Sequence, residues 1–281
     1  MARTISYTVY SEAGGVGKTT LAANLAHGHE ENGDDVLAID LDPQEGSLTH
    51  LLDVGENRAD PDADNIVRHL IGQPRGDVED LIEETEEGID VIPSHHMLER
   101  LTRLLYEAED RADGEFHPER QLHRVLGESG IPSEYDVILV DPPATSGDHL
   151  YNAIYATRSL VLPLELSGKG EQSVEGLGEL VDGLERNVGI DVGVLAVVPN
   201  GVKHTTDQEE YREEIEDLGY NVPVVIDDRT SLMQGMWREQ CTAFRYVEEH
   251  RSRRRDYEVE TLEEIRELVQ FITRETRGVE V

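Results

Sequence analysis

The chain has 281 residues, enough to bury a large core, and carries 60 acidic and 25 basic side chains, for a formal net charge of −35 at pH 7. Only three of the basic residues are lysines, and all the others are arginine. Such a surface repels itself in dilute salt, whereas in molar salt the Debye length shrinks to about 3 Å. The composition therefore favours a protein of a salt-rich cytoplasm, such as that of a halophilic archaeon, over the alternative of an ordinary acidic protein.

Cysteine content and hydropathy exclude several further classes of protein. The one cysteine, Cys241, excludes an intramolecular disulfide and a paired-cysteine metal or redox site. No apolar run approaches the length of a membrane span, and Met1 leads almost directly into a strand-like segment rather than a signal peptide. We therefore expect a cytoplasmic protein that does not bind a membrane.

Strand and helix patterns alternate along the chain. Strands are predicted at 4–10, 35–42, 88–94, 135–143, 158–166, 191–200 and 222–227. Helices are predicted at 19–33, 65–72, 78–85, 95–111, 118–129, 148–156, 172–187, 207–219 and 261–275. This order predicts an α/β fold with a doubly wound, mostly parallel sheet, helices on both faces, and a single domain over 1–281. In such sheets ligands bind beyond the carboxyl ends of the strands.

A phosphate-binding loop lies between the first strand and the first helix, in the segment "AGGVGKTT" (13–20). Backbone N–H groups of such a loop surround phosphates, helped by the helix N-terminus. Lys18 would supply positive charge at the β- and γ-phosphates, Thr19 would ligate Mg²⁺, and Thr20 would lie by the α-phosphate. The predicted nucleotide contacts are Gly14, Gly15, Val16, Gly17, Lys18, Thr19 and Thr20.

Three carboxylates follow predicted strands. Asp40 and Asp42 end the second strand, and because successive side chains diverge, one can face the phosphates while the other helps to hold the loop. Asp141 follows the apolar run "VILV", the Walker B arrangement that delivers a carboxylate to the Mg²⁺ hydration shell. Beside a phosphate-binding loop, these carboxylates predict an Mg-nucleotide site.

The motifs "GGVGKTT", "DLDPQ" and "YDVILVDPPATSGDHLYNAI" together resemble the ParA/MinD family of deviant Walker P-loop ATPases, and in particular its small Soj-like branch. The resemblance covers essentially the whole chain. It implies slow hydrolysis of ATP with Mg²⁺, an ATP-dependent homodimer, non-specific binding to DNA of the nucleoid, and a role in plasmid or chromosome partition. It also implies an adaptor protein, such as a ParB-like one, that stimulates hydrolysis.

The resemblance also assigns roles to individual residues. Lys18 would act in catalysis with Asp42, which would position the attacking water, and Asp40 would be auxiliary. Asn200, in "VVPNGV", falls where the family reads the adenine edge. Asn152, in "YNAI", matches a recurrent family position behind the site.

Two departures from the family pattern occur near the phosphates. Ala13 stands where the family has its signature lysine, which reaches into the partner's site in the ATP-bound dimer. Glu45 adds one residue to the usual D-x-D-P-Q-G run. Lys169, flanked by glycines beyond a strand end, is a candidate replacement, although it could equally be a solvated loop lysine; an arginine recruited by Glu12 is another option.

Four arginines, Arg251, Arg253, Arg254 and Arg255, are concentrated in "HRSRRRDY" within a strongly acidic chain. The family binds DNA through basic residues in this C-terminal region, and the guanidinium fork suits phosphate. The alternative is a solvated run paired with Glu258 and Glu260.

Three other functions share this fold. The same switch could position a protein cargo, such as a compartment or a chemosensory array. A metal-cluster carrier would need paired cysteines, which the chain lacks. A biosynthetic P-loop amide-forming enzyme would need a substrate pocket that the sequence does not reveal.

Overall fold

The computed structural model describes residues 4–112, 114–166 and 170–278, with the side chains of 170–175 excepted. Within these ranges the strands are β1 (Ile5–Val9), β2 (Val36–Asp40), β3 (Glu83–Glu84), β4 (Asp90–Ile92), β5 (Val137–Asp141), β6 (Ser159–Leu164), β7 (Gly193–Val202) and β8 (Ile226–Asp227). They form one sheet in the order β3-β4-β2-β5-β1-β6-β7-β8, in which only the β3–β4 pairing is antiparallel.

Helices cover both faces of this sheet. They are α1 (Lys18–Glu31), α2 (Leu48–Leu51), α3 (Ile66–Leu70), α4 (Leu101–Arg111), α5 (Gln121–Ser129), α6 (Asp148–Thr157), α7 (Gly170–Val188), α8 (Thr206–Asp217), α9 (Thr230–Glu239), α10 (Ala243–Arg245) and α11 (Asp256–Arg277). Short 3₁₀ turns lie at Val78–Leu81, His96–Arg100, Pro118–Arg120 and Ile131–Ser133, and a π-helical turn lies at Tyr246–His250. The doubly wound α/β fold predicted from the sequence is confirmed. No helix among the described residues is both long and apolar enough to cross a membrane.

Alternate residues of the central strands supply the cores on the two faces. Tyr7 and Ala38 pack with α1, α9 and α11, whereas Ile39 and Val140 face α3, α4 and α5. The approach of α1 to α11 is close, because a Cβ on Gly28 would lie 2.9 Å from the Val269 Cγ2 atom. The α1–α11 contact therefore fixes the helix that begins at the phosphate-binding loop.

Two regions differ from the sequence prediction. The helix predicted at 78–85 is wrong: a 3₁₀ turn is followed by β3, because Gly88, with φ of 72°, turns the chain back and the Thr85 hydroxyl accepts the N–H of Ile89. Beyond β8, which is shorter than the predicted 222–227, the sequence reading missed α9 and α10, and it began the last helix at 261 rather than Asp256.

Asn152 joins α5 to α6 from a fully buried position. Its amide nitrogen donates to the carbonyl oxygens of Pro118 and Asp148, each at 2.8 Å, and its amide oxygen accepts the N–H of Leu122 at 2.9 Å. Every hydrogen-bonding group of this side chain except one lone pair is thus satisfied by backbone. Asn152 is a structural residue behind the site.

We predict that Asn152→Ala lowers the free energy of unfolding by about 3 kcal/mol, because three buried backbone groups lose their partner. Urea denaturation measures this loss. The exposed Asn187, whose side chain bonds only the Tyr151 hydroxyl among the described residues, is the control, and its alanine variant should change stability by less than about 0.5 kcal/mol. Equal losses in the two variants would contradict the structural role of Asn152.

Candidate nucleotide site

The phosphate-binding loop connects β1 to the N-terminus of α1. Gly15 and Gly17 adopt left-handed backbone conformations, with φ of 81° and 89°, which L side chains rarely adopt. Lys18 is the first residue of α1 and is 8% exposed, and among the described residues it makes no ion pair. The loop therefore presents a helix N-terminus and one lysine at the carboxyl edge of the sheet, where anions bind.

Asn200 lies near the end of β7 and contacts the loop directly. Its amide nitrogen donates to the Val16 carbonyl oxygen at 2.8 Å. A Cβ on Gly17 would lie 2.4 Å from the same nitrogen, so only glycine fits there. Asn200 thus ties β7 to the loop, and its role toward adenine stays a prediction.

A cavity of about 490 Å³ opens beside this contact. The loop and β7 line one side of it, through Gly15, Gly17, Thr20 and Asn200. The other side is formed by residues that sequence reasoning did not assign: Asp227, Asp228, Arg229, Thr230, Met233, Gln234 and Trp237. Its place beside the phosphate loop and its size fit a nucleoside.

Trp237 is the clearest of the missed residues. Its indole N–H donates to the Thr20 hydroxyl at 3.2 Å, across 217 positions of sequence. It is the only tryptophan of the chain, which is a signal, but it lies on α9, a helix the sequence analysis did not find.

Asp40 and Asp42 have different environments although they are two residues apart. Asp40 is fully buried and accepts the Asp42 N–H at 2.9 Å, the Thr49 N–H at 2.7 Å and the Thr49 hydroxyl at 2.6 Å. Asp42 is 8% exposed, and one carboxylate oxygen accepts the Gln44 N–H at 2.9 Å. Asp40 therefore holds the loop, while the other Asp42 carboxylate oxygen accepts no hydrogen bond from the described residues.

Asp141 ends β5 directly beside Asp40 in the sheet register. Both of its carboxylate oxygens are buried and accept no hydrogen bond from the described residues. Burial raises the pKa of Asp141 well above its usual range, and the Asp40 charge adds to the shift, while the Thr19 hydroxyl and Lys18 oppose it. A buried carboxylate with lone pairs free beside the Thr19 hydroxyl suits a hydrated Mg²⁺ ion, so these residues fit that cofactor.

Other predicted residues lie outside this group. Lys169 lies outside the described residues. Arg251 donates to Glu258 at 2.8 Å and to the Ser231 hydroxyl at 3.2 Å, which favours a structural role over the predicted contact with DNA. Arg253, Arg254 and Arg255 are exposed.

A glycine loop at the start of a helix, with a buried strand-end carboxylate beside it, defines a P-loop nucleotide hydrolase. A family model described as an AAA domain matches residues 2–190. The chain belongs to this family, as a P-loop ATPase of the ParA/MinD type. The residues of the site fit ATP and Mg²⁺ as cofactors.

Curated relatives include an uncharacterized protein and two Soj proteins. An uncharacterized protein of Methanocaldococcus jannaschii is 28% identical over 85% of this chain and 90% of its own length. The sporulation initiation inhibitor protein Soj of Bacillus subtilis is 32% identical over 62% of each chain. The chromosome-partitioning ATPase Soj of Thermus thermophilus is 32% identical over 59% of this chain and 57% of its own. The matched regions thus span less than two thirds of either Soj protein.

Solved structures share the fold. The septum site-determining protein MinD of Pyrococcus horikoshii, complexed with Mg-ADP, has a TM-score of 0.68 and 20% identity over 95% of both chains. Cobyrinic acid a,c-diamide synthase of Mycobacterium smegmatis, with an ATP analogue and magnesium, has a TM-score of 0.73 and 22% identity over 99% of this chain and 98% of its own. At these identities the likeness shows the fold alone.

We predict that Asp141→Asn stabilises the protein in the absence of nucleotide. A carboxylate whose pKa is raised by folding favours the folded state while it is protonated, and this contribution is lost as pH rises through the raised pKa. The gain of the uncharged variant should therefore grow with pH above about 4, the ordinary aspartate value. Melting scans between pH 5.5 and 8.5 should show a gain of at least about 2 °C at the upper end, the shift that 1 kcal/mol produces in a large domain.

Asp40→Asn is the matched control for this experiment. Asp40 accepts three hydrogen bonds from N–H and O–H groups. The NH₂ group of an asparagine there would face these donors, so the melting temperature should fall. A loss of stability in Asp141→Asn would show that Asp141 has a partner within the fold.

Proposed function

We propose that the chain is an ATP-driven dimer switch in plasmid or chromosome partition. Two copies close over two nucleotides, and the closed dimer binds DNA without sequence preference. Hydrolysis at Asp42, stimulated by an adaptor protein, then resets the monomer. The Soj relatives, one of them named as a chromosome-partitioning ATPase, support partition as the process.

The observation that carries this proposal is the connection between the nucleotide cavity and the arginine segment, defined as Arg251–Arg255. Helix α9 lines the cavity, and its Ser231 hydroxyl accepts a hydrogen bond from Arg251. Arg229, at the cavity edge, donates to Glu260 and to the Thr261 hydroxyl of α11, the helix that follows the segment. A nucleotide that shifts α9 would therefore act on Arg251 through Ser231, and on the helix that follows the segment through Arg229.

Charge supports DNA as the ligand of this segment. Arg253 and Arg254 make no ion pair among the described residues, and the Arg255 guanidinium group donates to the Tyr257 hydroxyl, while the Arg255 backbone N–H donates to Glu258. In a chain of net charge −35, three exposed neighbouring arginines form a local cationic surface. Guanidinium groups bind phosphate in a bidentate way, and contacts to the backbone of DNA carry no sequence preference.

We predict that Asp42→Ala binds ATP with normal affinity but hydrolyses it about 100-fold more slowly, because the attacking water loses its carboxylate. Single-turnover phosphate release and isothermal titration with a non-hydrolysable analogue measure the two quantities. Glu45→Ala removes an exposed carboxylate from the same loop and should leave both unchanged. Hydrolysis at the normal rate by Asp42→Ala would show that Asp42 does not position the water.

For DNA, we predict that changing Arg253, Arg254 and Arg255 to alanine weakens ATP-dependent binding to all sequences alike and flattens the salt dependence by up to about 3 units of log–log slope. Fluorescence anisotropy on two unrelated duplexes at several salt concentrations tests this.

The control removes the same charge elsewhere, by changing the exposed Arg100, Arg103 and Arg111 to alanine. It should bind DNA as the unmodified protein does. Unchanged binding by the first triple variant, or binding that ignores nucleotide, would refute the DNA proposal.

A further inference from the structure

Arg58 contacts the loop that follows Asp42, although the two are separated by 16 positions in the sequence. Its guanidinium group donates to three consecutive backbone carbonyls. One terminal nitrogen donates to Pro43 at 2.7 Å and to Gln44, and the other donates to Glu45 at 3.2 Å. A single side chain thus binds the whole turn between Asp42 and Gly46.

The backbone around Arg58 is itself fixed. The carbonyl oxygen of Arg58 accepts the N–H of His96 at 3.1 Å. The His95 side chain bonds the Asp60 carbonyl at 3.0 Å, and the Gly55 N–H donates to the Glu83 carboxylate at 2.8 Å. The backbone that carries Arg58 is therefore held by residues of β3 and of the segment after β4, so the side chain can hold the loop still.

The loop bears directly on the position of the Asp42 carboxylate. On one side, the Asp42 N–H donates to the buried Asp40. On the other, an Asp42 carboxylate oxygen accepts the N–H of Gln44, whose carbonyl Arg58 binds. Movement of Gln44 would therefore move the Asp42 carboxylate.

Glu45 lengthens the turn that Arg58 binds. It is the residue that lengthens the D-x-D-P-Q-G run by one, and a longer turn has more conformations to lose on ordering. Its carbonyl is the third that Arg58 binds. Arg58 has no ion-pair partner among the described residues, and its two terminal nitrogens donate to the loop backbone, while its Nε is buried without a hydrogen-bond partner there.

We propose that Arg58 is a positioning residue for ATP hydrolysis, which holds the Pro43–Glu45 turn so that the Asp42 carboxylate stays where it orients the attacking water. This inference rests on the proposed role of Asp42. A lysine cannot replace Arg58, because one ammonium group cannot span three carbonyls in the fixed geometry of the guanidinium fork.

The test compares Arg58→Met and Arg58→Lys with Arg68→Met. Arg68 is the matched control, since its guanidinium also binds two carbonyls, those of Pro61 and Ala63, but none in the Asp42 loop. Each variant is measured for single-turnover hydrolysis, for affinity to a non-hydrolysable ATP analogue, and for hydrogen exchange of the amides at 44–46.

Both Arg58 variants should hydrolyse ATP about 10- to 100-fold more slowly, because a displacement of about 1 Å costs up to about 100-fold. Their affinity for the analogue should stay within about twofold, and the amides at 44–46 should exchange faster. Arg68→Met should match the unmodified protein in all three measurements. Arg58→Lys keeps the charge, so it separates the geometry of the fork from charge and guards against a misfolded Arg58→Met.

Two results would overturn the inference. Normal hydrolysis by both Arg58 variants, with Asp42→Ala inactive, would show that Asp42 acts without the clamp. An equal loss of hydrolysis in Arg68→Met would show that the effect comes from general destabilisation of the loops and not from the contact with the Asp42 loop. Failure of the proposed function is distinct, because it would appear as normal hydrolysis by Asp42→Ala itself.

Discussion

The site depends on the parallel pairing of β2 with β5, which sets Asp40 and Asp141 side by side at the carboxyl edge of the sheet. Both carboxylates are fully buried, and burial raises the pKa of each. On its other side β5 pairs with β1, so the phosphate-binding loop begins one strand away. Sheet order alone therefore brings the Mg²⁺ carboxylate, the loop-holding carboxylate and the P-loop together.

The local motifs could be predicted from the sequence because each is defined by residues close together in the chain. Glycines with positive φ, Lys18 at the start of a helix, and apolar runs ending in carboxylates are local signals. These signals were enough to predict the α/β class and a ligand site at the carboxyl ends of the strands. The family resemblance then supplied the ATPase type, which the comparisons confirm.

What the sequence did not reveal depends on contacts between distant residues. Trp237 reaches Thr20 across 217 positions, and Arg58 reaches Pro43 in the Asp42 loop across 15 positions. The segment 78–85 has a helix-like apolar pattern, but pairing with β4 overrides it. Helix α9 carries Leu232, Met233, Met236 and Trp237 at helical spacing, so a local signal for this helix was present and was missed.

The site divides its polar groups into two kinds, and the division has a physical reason. Asp40, Asn200 and Arg58 have most of their hydrogen bonds satisfied by backbone, so they are rigid and contribute geometry. Asp141 has no partner and Lys18 no counter-ion among the described residues, which costs stability in the folded protein. Because ligand binding removes that cost, the unsatisfied groups supply affinity for Mg-nucleotide. The satisfied groups hold the site in one geometry, so the ligand binds in one orientation.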